Sequence, residues 1–184
     1  LDDNTLVIFT SDNGGASGCL NTPLRGGKGS TWEGGMREPA IAWWPGSIRP
    51  DSVCEEIATT MDLLPTFAKL AGGKTPTDRK IDGKDIAPLL FGQPEAKTPH
   101  EAFYYYRETE LQAVRSGPWK LRAGALYNLE SDIGETLNVA KQNPKIVERL
   151  NALLDACRAD LGNPANIRPV GHNPNPVHLL PPVE

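Results

Sequence analysis

The sequence lacks the features that mark several large classes of proteins. No apolar run approaches the roughly 20 residues that a membrane-spanning helix needs. The 19 Lys and Arg residues are outnumbered by 23 Asp and Glu, so the formal net charge is −4 and the composition does not support nucleic-acid binding. What remains is a chain of 184 residues, 39% of them hydrophobic, which is ordinary for a globular protein with a sizeable core.

Cysteine is scarce, and its spacing matches no known framework. Cys19, Cys54 and Cys157 form neither a zinc signature nor a regular disulfide pattern. The sequence is compatible with one disulfide and a free thiol, and equally with three reduced thiols. It therefore does not decide the cellular compartment. Cys157 falls on the apolar stripe of a predicted helix, so we predict that it is a buried, unreactive core residue.

Three common ligand-binding and catalytic motifs are also absent. The segment Gly27-Lys28-Gly29 is similar to part of a P-loop, but Thr22 stands where the first glycine is required. Gly29 replaces the hydroxyl residue that would bind Mg²⁺, and Trp32 stands where a dinucleotide fingerprint needs its third glycine. No G-x-S-x-G occurs, so a Ser-His-Asp hydrolase is poorly supported.

The clearest functional pattern lies between Thr5 and Pro39. The apolar run Leu6–Phe9 predicts a short buried strand, and Asp12 and Asn13 follow it in a loop. Ligands of open α/β sheets bind at the carboxyl ends of strands. Carboxylate and amide oxygens are ligands for hard cations, so this loop indicates a Ca²⁺ or Mg²⁺ site.

A glycine-rich loop follows from Gly14 to Gly35 and contains the isolated Lys28. Glycines allow a backbone to approach a ligand closely, and a lysine among them can bind an oxyanion. A lone Asp-Asn-Gly is more often a simple turn, and a lone lysine is more often solvated. The order of strand, acid-amide pair, glycine loop and lysine favours the functional interpretation.

The region after this stretch predicts a strand and a helix. Ala40–Trp44 predicts the second strand, and residues 62–71 predict a helix that begins near Asp62. We expect its apolar residues to be buried; they are Leu63, Leu64, Phe67, Leu70 and Ala71. Residues 92–99 have the composition of a linker and mark a subdomain boundary.

Beyond residue 98 the pattern changes to short strands separated by turn residues. We predict strands at residues 101–107, 111–115, 119–122 and 125–129, followed by a helix that opens at Asn143-Pro144. The apolar stripe of this helix comprises Ile146, Val147, Leu150, Leu153, Leu154, Cys157 and Leu161. The Pro-rich tail should be extended, and we interpret His172 and His178 within it as ordinary exposed histidines.

The chain resembles the sulfatase family, the formylglycine-dependent sulfate ester hydrolases of the alkaline phosphatase superfamily. The resemblance rests on four sets of residues: Phe9–Gly14, Leu24–Pro39, Trp44-Pro45-Gly46 and Met61–Thr66. Weaker likeness continues through residues 114–121 and 126–129. The resemblance implies that Asp12 and Asn13 supply part of a Ca²⁺ site, with Mg²⁺ the less favoured ion, and that Lys28 is the catalytic and substrate-binding residue that contacts the sulfate ester.

One family motif has no counterpart in these residues. The formylglycine nucleophile of the family is made from the Cys or Ser of a Cys/Ser-x-Pro/Ala-x-Arg motif, and Cys19, Cys54 and Cys157 are not followed by that pattern. We therefore expect the C-terminal portion of a sulfatase, inactive without an N-terminal half that carries the formylglycine. The start at Leu1, without an initiator Met, agrees with a fragment. We expect an exposed apolar surface, and hence self-association or the missing half as partner.

The resemblance implies an α/β fold with three regions. Residues 1–97 would be the C-terminal part of an alkaline-phosphatase-like catalytic core, residues 98–162 a small α+β subdomain with an antiparallel sheet and one long helix, and residues 163–184 a tail. A periplasmic or secreted location is typical of the family. Glu33 and Arg37 are predicted to brace the loop, whereas Arg25, Arg115 and Lys120 are weaker candidates, the last two for the pocket rim.

Two other functions remain open from the sequence. A phosphoester or phosphonate hydrolase of the same superfamily would be favoured by a Thr or Ser nucleophile upstream. A non-catalytic binding or assembly module with a vestigial site would be favoured by a chain that folds stably as a monomer without metal affinity.

Overall fold

A computed structural model describes residues 2–163 and 166–167 of the chain. Its longer elements are the strands β1 (Val7–Thr10), β2 (Ala40–Trp43), β3 (Phe103–Arg107), β4 (Glu110–Ser116), β5 (Trp119–Arg122) and β6 (Ala125–Asn128), and the helices α1 (Glu33–Met36), α2 (Leu63–Leu70), α3 (Ala87–Leu90) and α4 (Pro144–Leu161). Single 3₁₀ turns occur at Asp2–Asn4, Thr60–Asp62 and Ala140–Gln142, and a two-residue pair joins β7 (Gly162–Asn163) to β8 (Asn166–Ile167). No helix in the described part of the chain is both long and apolar enough to cross a bilayer.

The four strands β3 to β6 form an antiparallel meander in chain order, as the sequence predicts. Two-residue turns join the last three strands, because Ser116 pairs with Trp119 and Arg122 pairs with Ala125. A β-bulge interrupts the first pairing between Tyr105 and Tyr106. The sheet therefore follows from local turn chemistry, with each strand hydrogen-bonded to its neighbour in the sequence.

Helix α4 packs against β4 and β5, and the main core lies between them. The fully buried members of this core are Val114, Leu121, Leu126, Leu150 and Leu154. Cys157 is buried on the same side of the helix, and its Sγ lies 3.4 Å from the hydroxyl of Tyr106. The prediction that Cys157 is a buried core residue is confirmed. Burial also raises the pKa of its thiol, and its lack of reactivity stays a prediction.

Strands β1 and β2 form a separate antiparallel pair. Val7 lies opposite Trp43 and Phe9 lies opposite Ile41, so these four apolar side chains share one face. Val7 is 47% exposed and Phe9 is 63% exposed. The prediction of a buried first strand is therefore wrong for the chain as described, because the sheet face that carries Val7 and Phe9 is left exposed. The expected exposed apolar surface is confirmed.

The residues that helix α2 buries differ from those that the sequence predicts. Pro65 and Thr66 are buried, whereas Leu64 and Phe67 remain exposed, so the expected burial of the whole apolar stripe is wrong. Asp62 precedes the helix but does not cap it with its side chain. Its buried carboxylate instead accepts hydrogen bonds from the backbone N–H of Thr59 and Lys84 and lies 2.8 Å from His100 Nε2.

The division at residues 97 and 98 stays a prediction. Contacts cross it at several places, including the bond from Thr98 Oγ1 to the carbonyl of Ile57. The predicted tail, with His172 and His178, lies outside the described residues except for residues 163 and 166–167.

Candidate functional site

The loop after β1 and the glycine-rich loop bring two charged side chains to the same surface. Lys28 Nζ lies 3.7 Å from Asp12 Oδ2, and the two side chains are 55% and 80% exposed. Asn13 is half-buried beside them, and its carbonyl accepts a hydrogen bond from Ser11 Oγ at 2.9 Å. The structure therefore brings Lys28 to Asp12, and Asn13 is the next residue of the same loop.

Asn21 fastens the two loops to each other. Its Oδ1 accepts the backbone N–H of Gly15 at 3.0 Å, and its Nδ2 donates to the carbonyls of Gly15 and Gly26 at 3.1 Å. The backbone N–H of Lys28 donates to the same Gly15 carbonyl at 3.0 Å. The backbone position of Lys28 is thus fixed even though its side chain extends into solvent.

Close backbone contacts explain two of the glycines. A Cβ on Gly14 would lie 1.9 Å from the carbonyl oxygen of Gly34, and one on Gly35 would lie 2.4 Å from the carbonyls of Gly27 and Ser30. Any other residue at either position would push the strand-end loop, the lysine loop and α1 apart. The backbone bond from Gly14 N–H to the Gly35 carbonyl, at 3.1 Å, depends on this closeness.

An open hollow of about 390 Å³ lies beside the lysine. Its lining residues are Gly15, Ala16, Ser17, Gly18, Cys19, Asn21, Gly27, Lys28, Gly29 and Ser30. Lys28 is the cation of this lining, so the hollow can take a small anionic group at its lysine end.

The donor set suits a hard cation but completes only part of a site. Asp12 offers a carboxylate and Asn13 an amide oxygen, whereas Ca²⁺ takes six to eight oxygen ligands. No group of three or more His, Cys, Asp or Glu residues among the described residues is arranged to hold a metal ion. The sequence did not single out Glu38, whose pKa is raised by burial and by the charge of Asp12.

A buried network of charges lies beneath the loop. Lys120 Nζ lies 2.9 Å from Glu33 Oε1 and 2.8 Å from Glu135 Oε1, and all three side chains are at most 1% exposed. The idea that Lys120 approaches the pocket rim is therefore wrong, because paired burial removes it from the surface. We call Glu33, Lys120 and Glu135 the buried triad.

Glu33 accepts further bonds from neighbouring elements. Arg37 Nε donates to its Oε2 at 2.7 Å, and the Tyr105 hydroxyl donates to its Oε1 at 2.7 Å. Burial alone would raise the pKa of Glu33, but the charge of Lys120 and the hydrogen bonds from Arg37, Lys120 and Tyr105 lower it to about 2. Glu33 is thus a carboxylate that braces α1, as predicted for Glu33 and Arg37.

The other arginines also hold the loop in place. Arg25 Nη1 donates to the backbone carbonyl of Glu135 at 2.8 Å, and its guanidinium stacks 3.8 Å from the ring of Trp32. Arg122 stacks on the same ring at 4.0 Å. Arg115 Nη1 lies 3.3 Å from Glu33 Oε2, so it binds the triad.

Similarity to known proteins agrees with this geometry. A family model described as Sulfatase matches residues 1–73. The chain is 45% identical over 126 residues to N-acetylgalactosamine-6-sulfatase of Canis lupus familiaris, covering 65% of this chain and 24% of that protein. It is 37% identical over 195 residues to human arylsulfatase A, covering 83% of this chain and 38% of that protein.

Comparison with solved structures also identifies sulfatases. The crystal structure of the PsFucS1 sulfatase from Pseudoalteromonas sp. superposes with a TM-score of 0.75 at 27% identity, covering 85% of this chain and 37% of that one. The chain thus spans well under half the length of the relatives it matches, and it corresponds to a C-terminal part of them. With the α/β architecture, the loop motifs and these similarities in agreement, the chain belongs to the sulfatase family.

Proposed function

We propose that the complete protein is a sulfuric ester hydrolase, in which Lys28 binds the sulfate group and Asp12 and Asn13 supply part of a Ca²⁺ site. The observation that carries the proposal is the approach of Lys28 Nζ to within 3.7 Å of Asp12 Oδ2 on an open, glycine-lined surface. On this surface the Lys28 ammonium can bind an anion, and the Asp12 carboxylate can bind a metal ion. That combination suits a sulfate ester whose negative charge is neutralised partly by the lysine and partly by the metal.

Each residue has a distinct chemical task in this proposal. Lys28 donates hydrogen bonds to a sulfate oxygen or to the leaving oxygen, where negative charge develops. Asp12 offers an anionic ligand and Asn13 a neutral one, and we favour Ca²⁺ over Mg²⁺ because the resemblance to sulfatases implies it. Bound Ca²⁺ would act as a Lewis acid that polarises the sulfate group and orients it.

The nucleophile belongs to another segment in this proposal. The Cys/Ser-x-Pro/Ala-x-Arg motif does not occur in the printed residues. We propose that the formylglycine made from it comes from an N-terminal half of the complete enzyme. The exposed apolar face of β1 and β2, formed by Val7, Phe9, Ile41 and Trp43, supports this arrangement, because such a face is typically covered by another element.

Hydrolysis of an aryl sulfate by the complete protein tests the function. We expect turnover that is lost on chelation of Ca²⁺ and restored when Ca²⁺ is added back. Faster hydrolysis of the matching aryl phosphate would favour the phosphoester alternative. No turnover of either ester, with no Ca²⁺ binding by calorimetry, would favour a binding module.

The role of Lys28 has its own test. Lys28→Ala should lower kcat about 10²- to 10³-fold, since loss of one preorganised contact to developing charge has that effect. Lys141→Ala is the matched control, because Lys141 is an exposed lysine in the 3₁₀ turn before α4. An unchanged kcat in Lys28→Ala would remove Lys28 from the mechanism.

A further inference from the structure

The lysine loop is anchored to the C-terminal sheet at Thr31, three residues beyond Lys28. The Thr31 carbonyl accepts a hydrogen bond from Lys120 Nζ at 2.8 Å. Its hydroxyl donates to Gln112 Oε1 at 2.8 Å and accepts from Arg122 Nε at 3.0 Å. Thr31 is 1% exposed, so three bonds from β4 and β5 hold a buried point of the loop.

A second anchor holds α1, which begins two residues later. The backbone N–H of Glu33 donates to Glu135 Oε2 at 2.8 Å, and the Glu33 carboxylate binds Lys120. The far end of α1 binds the other half of the candidate site through the bond from Gly14 N–H to the Gly35 carbonyl. Both the Asp12 loop and the Lys28 loop therefore rest on the buried triad.

Lys120 itself cannot contact a substrate, since its side chain is fully buried and contacts Glu33, Glu135 and the Thr31 carbonyl. Its ammonium also lies 4.1 Å from the centre of the Tyr105 ring. With these partners, the lysine holds loop and sheet in one arrangement. Any effect of Lys120 on the reaction must pass through the position of the loop.

We propose that Lys120 and Thr31 are positioning residues for Lys28: they fix the glycine loop so that the Lys28 ammonium and the Asp12 carboxylate face the same point. The inference rests on the proposed role of Lys28 in binding the sulfate group. It states further that Lys28 can fill this role only when residues of the C-terminal sheet, which do not touch the substrate, hold its loop in place. Misplacement by about 1 Å is enough to cost up to 10²-fold in rate, so the anchoring has a measurable effect.

Thr31→Val in the complete enzyme is the sharpest test. It keeps the β-branched shape and every charge of the buried triad but removes both side-chain hydrogen bonds of Thr31. We expect kcat on an aryl sulfate to fall about ten- to a hundred-fold, with weaker inhibition by inorganic sulfate. Thr31→Ser keeps the hydroxyl and should retain kcat within about twofold. Equal kcat in the Val and Ser variants would overturn the proposal.

A double-mutant cycle shows whether the effect passes through Lys28. In a Lys28→Ala background, Thr31→Val should lower kcat by a clearly smaller factor than it does with Lys28 present, because the lysine that it positions is gone and only the Asp12 loop remains to be displaced. An equal fall in both backgrounds would overturn the positioning role while leaving the role of Lys28 intact. An unchanged kcat in Lys28→Ala alone would overturn both.

Hydrogen exchange gives a readout that does not depend on turnover. Lys120→Met should speed exchange at the amides of Lys28 and Ser30, which donate to the Gly15 and Gly27 carbonyls. Leu150→Ala is the matched control, because Leu150 is a buried core residue of α4. It should destabilise the protein without selectively loosening the loop. A uniform rise in exchange for both variants would overturn the proposal.

Discussion

Two lysine-carboxylate pairs in this molecule differ mainly in their burial. Lys28 and Asp12 lie 3.7 Å apart, and both are more than half exposed. Lys120 and Glu33 lie 2.9 Å apart and are at most 1% exposed. Water screens the first pair, so each member can exchange its partner for a ligand at little cost. The second pair has lost its water, so neither member can leave the other.

This difference in burial separates the pair proposed to bind ligands from the pair that stabilises the fold. An exposed pair adds little to stability but leaves its charges available, which suits groups that bind an anion and a metal ion. A buried pair keeps two distant parts of the chain in one arrangement, because separating them would strand a charge away from water. A lysine and a carboxylate thus have a binding task in one pair and a structural task in the other, and burial decides which.

The largest expected loss of stability comes from replacing the buried Lys120. Lys120→Met leaves Glu33 and Glu135 without their shared cation, and we expect the free energy of unfolding to fall by about 3 to 5 kcal/mol. Urea titration of the complete protein measures it. A loss under about 1 kcal/mol would mean that water reaches the triad and that the contrast between the two pairs is weaker than their geometry indicates.

The second-largest expected effect is a loss of stability in acid, when Glu33 becomes protonated. The pKa of Glu33 is lowered to about 2, below its ordinary value of 4.5, so the unfolded chain binds this proton more tightly than the folded one. The stabilisation is complete above about pH 4.5 and is lost as the pH falls toward 2, with a size on the order of 3 kcal/mol.

Unfolding measured from pH 6 to pH 2 tests this. Glu33→Gln should flatten the dependence of the unfolding free energy on pH in that window. Glu130→Gln, which changes an exposed carboxylate, should leave the dependence as it is. An identical pH dependence in both variants would contradict the assignment to Glu33.

The smallest effect on stability is expected at the exposed pair. Lys28→Met should change the free energy of unfolding by less than about 1 kcal/mol, because the Asp12 carboxylate remains solvated. The same urea titration applies. A loss comparable with that of Lys120→Met would contradict the distinction between the two pairs.

The sequence predicts the local features of the fold well. Strands β3 to β6 and helix α4 are recognisable because their turn residues and apolar spacing lie within short windows. Asp12, Asn13 and Lys28 could be singled out because they lie in one continuous motif, and the structure places Lys28 Nζ 3.7 Å from Asp12 Oδ2. Their roles in binding metal and sulfate stay predictions.

The features that the sequence does not reveal depend on distant contacts. Lys120 binds Glu33 across 87 positions, and Glu33 binds Glu135 across 102. Neither spacing has a local signal, so Lys120 looks like an ordinary strand lysine until the fold is known. The burial predicted for the first strand fails at Val7 and Phe9 for a related reason: composition predicts that a strand is apolar but not which element covers it.

The burial of Cys157 has a practical consequence. Cys19 and Cys54 are exposed free thiols, whereas Cys157 is covered by the α4 interface and its pKa is raised by burial. A thiol-specific reagent should therefore modify Cys19 and Cys54 in the folded chain within minutes and reach Cys157 only when α4 separates from the sheet. The rate at which Cys157 is modified would therefore report how often the C-terminal sheet and its helix come apart.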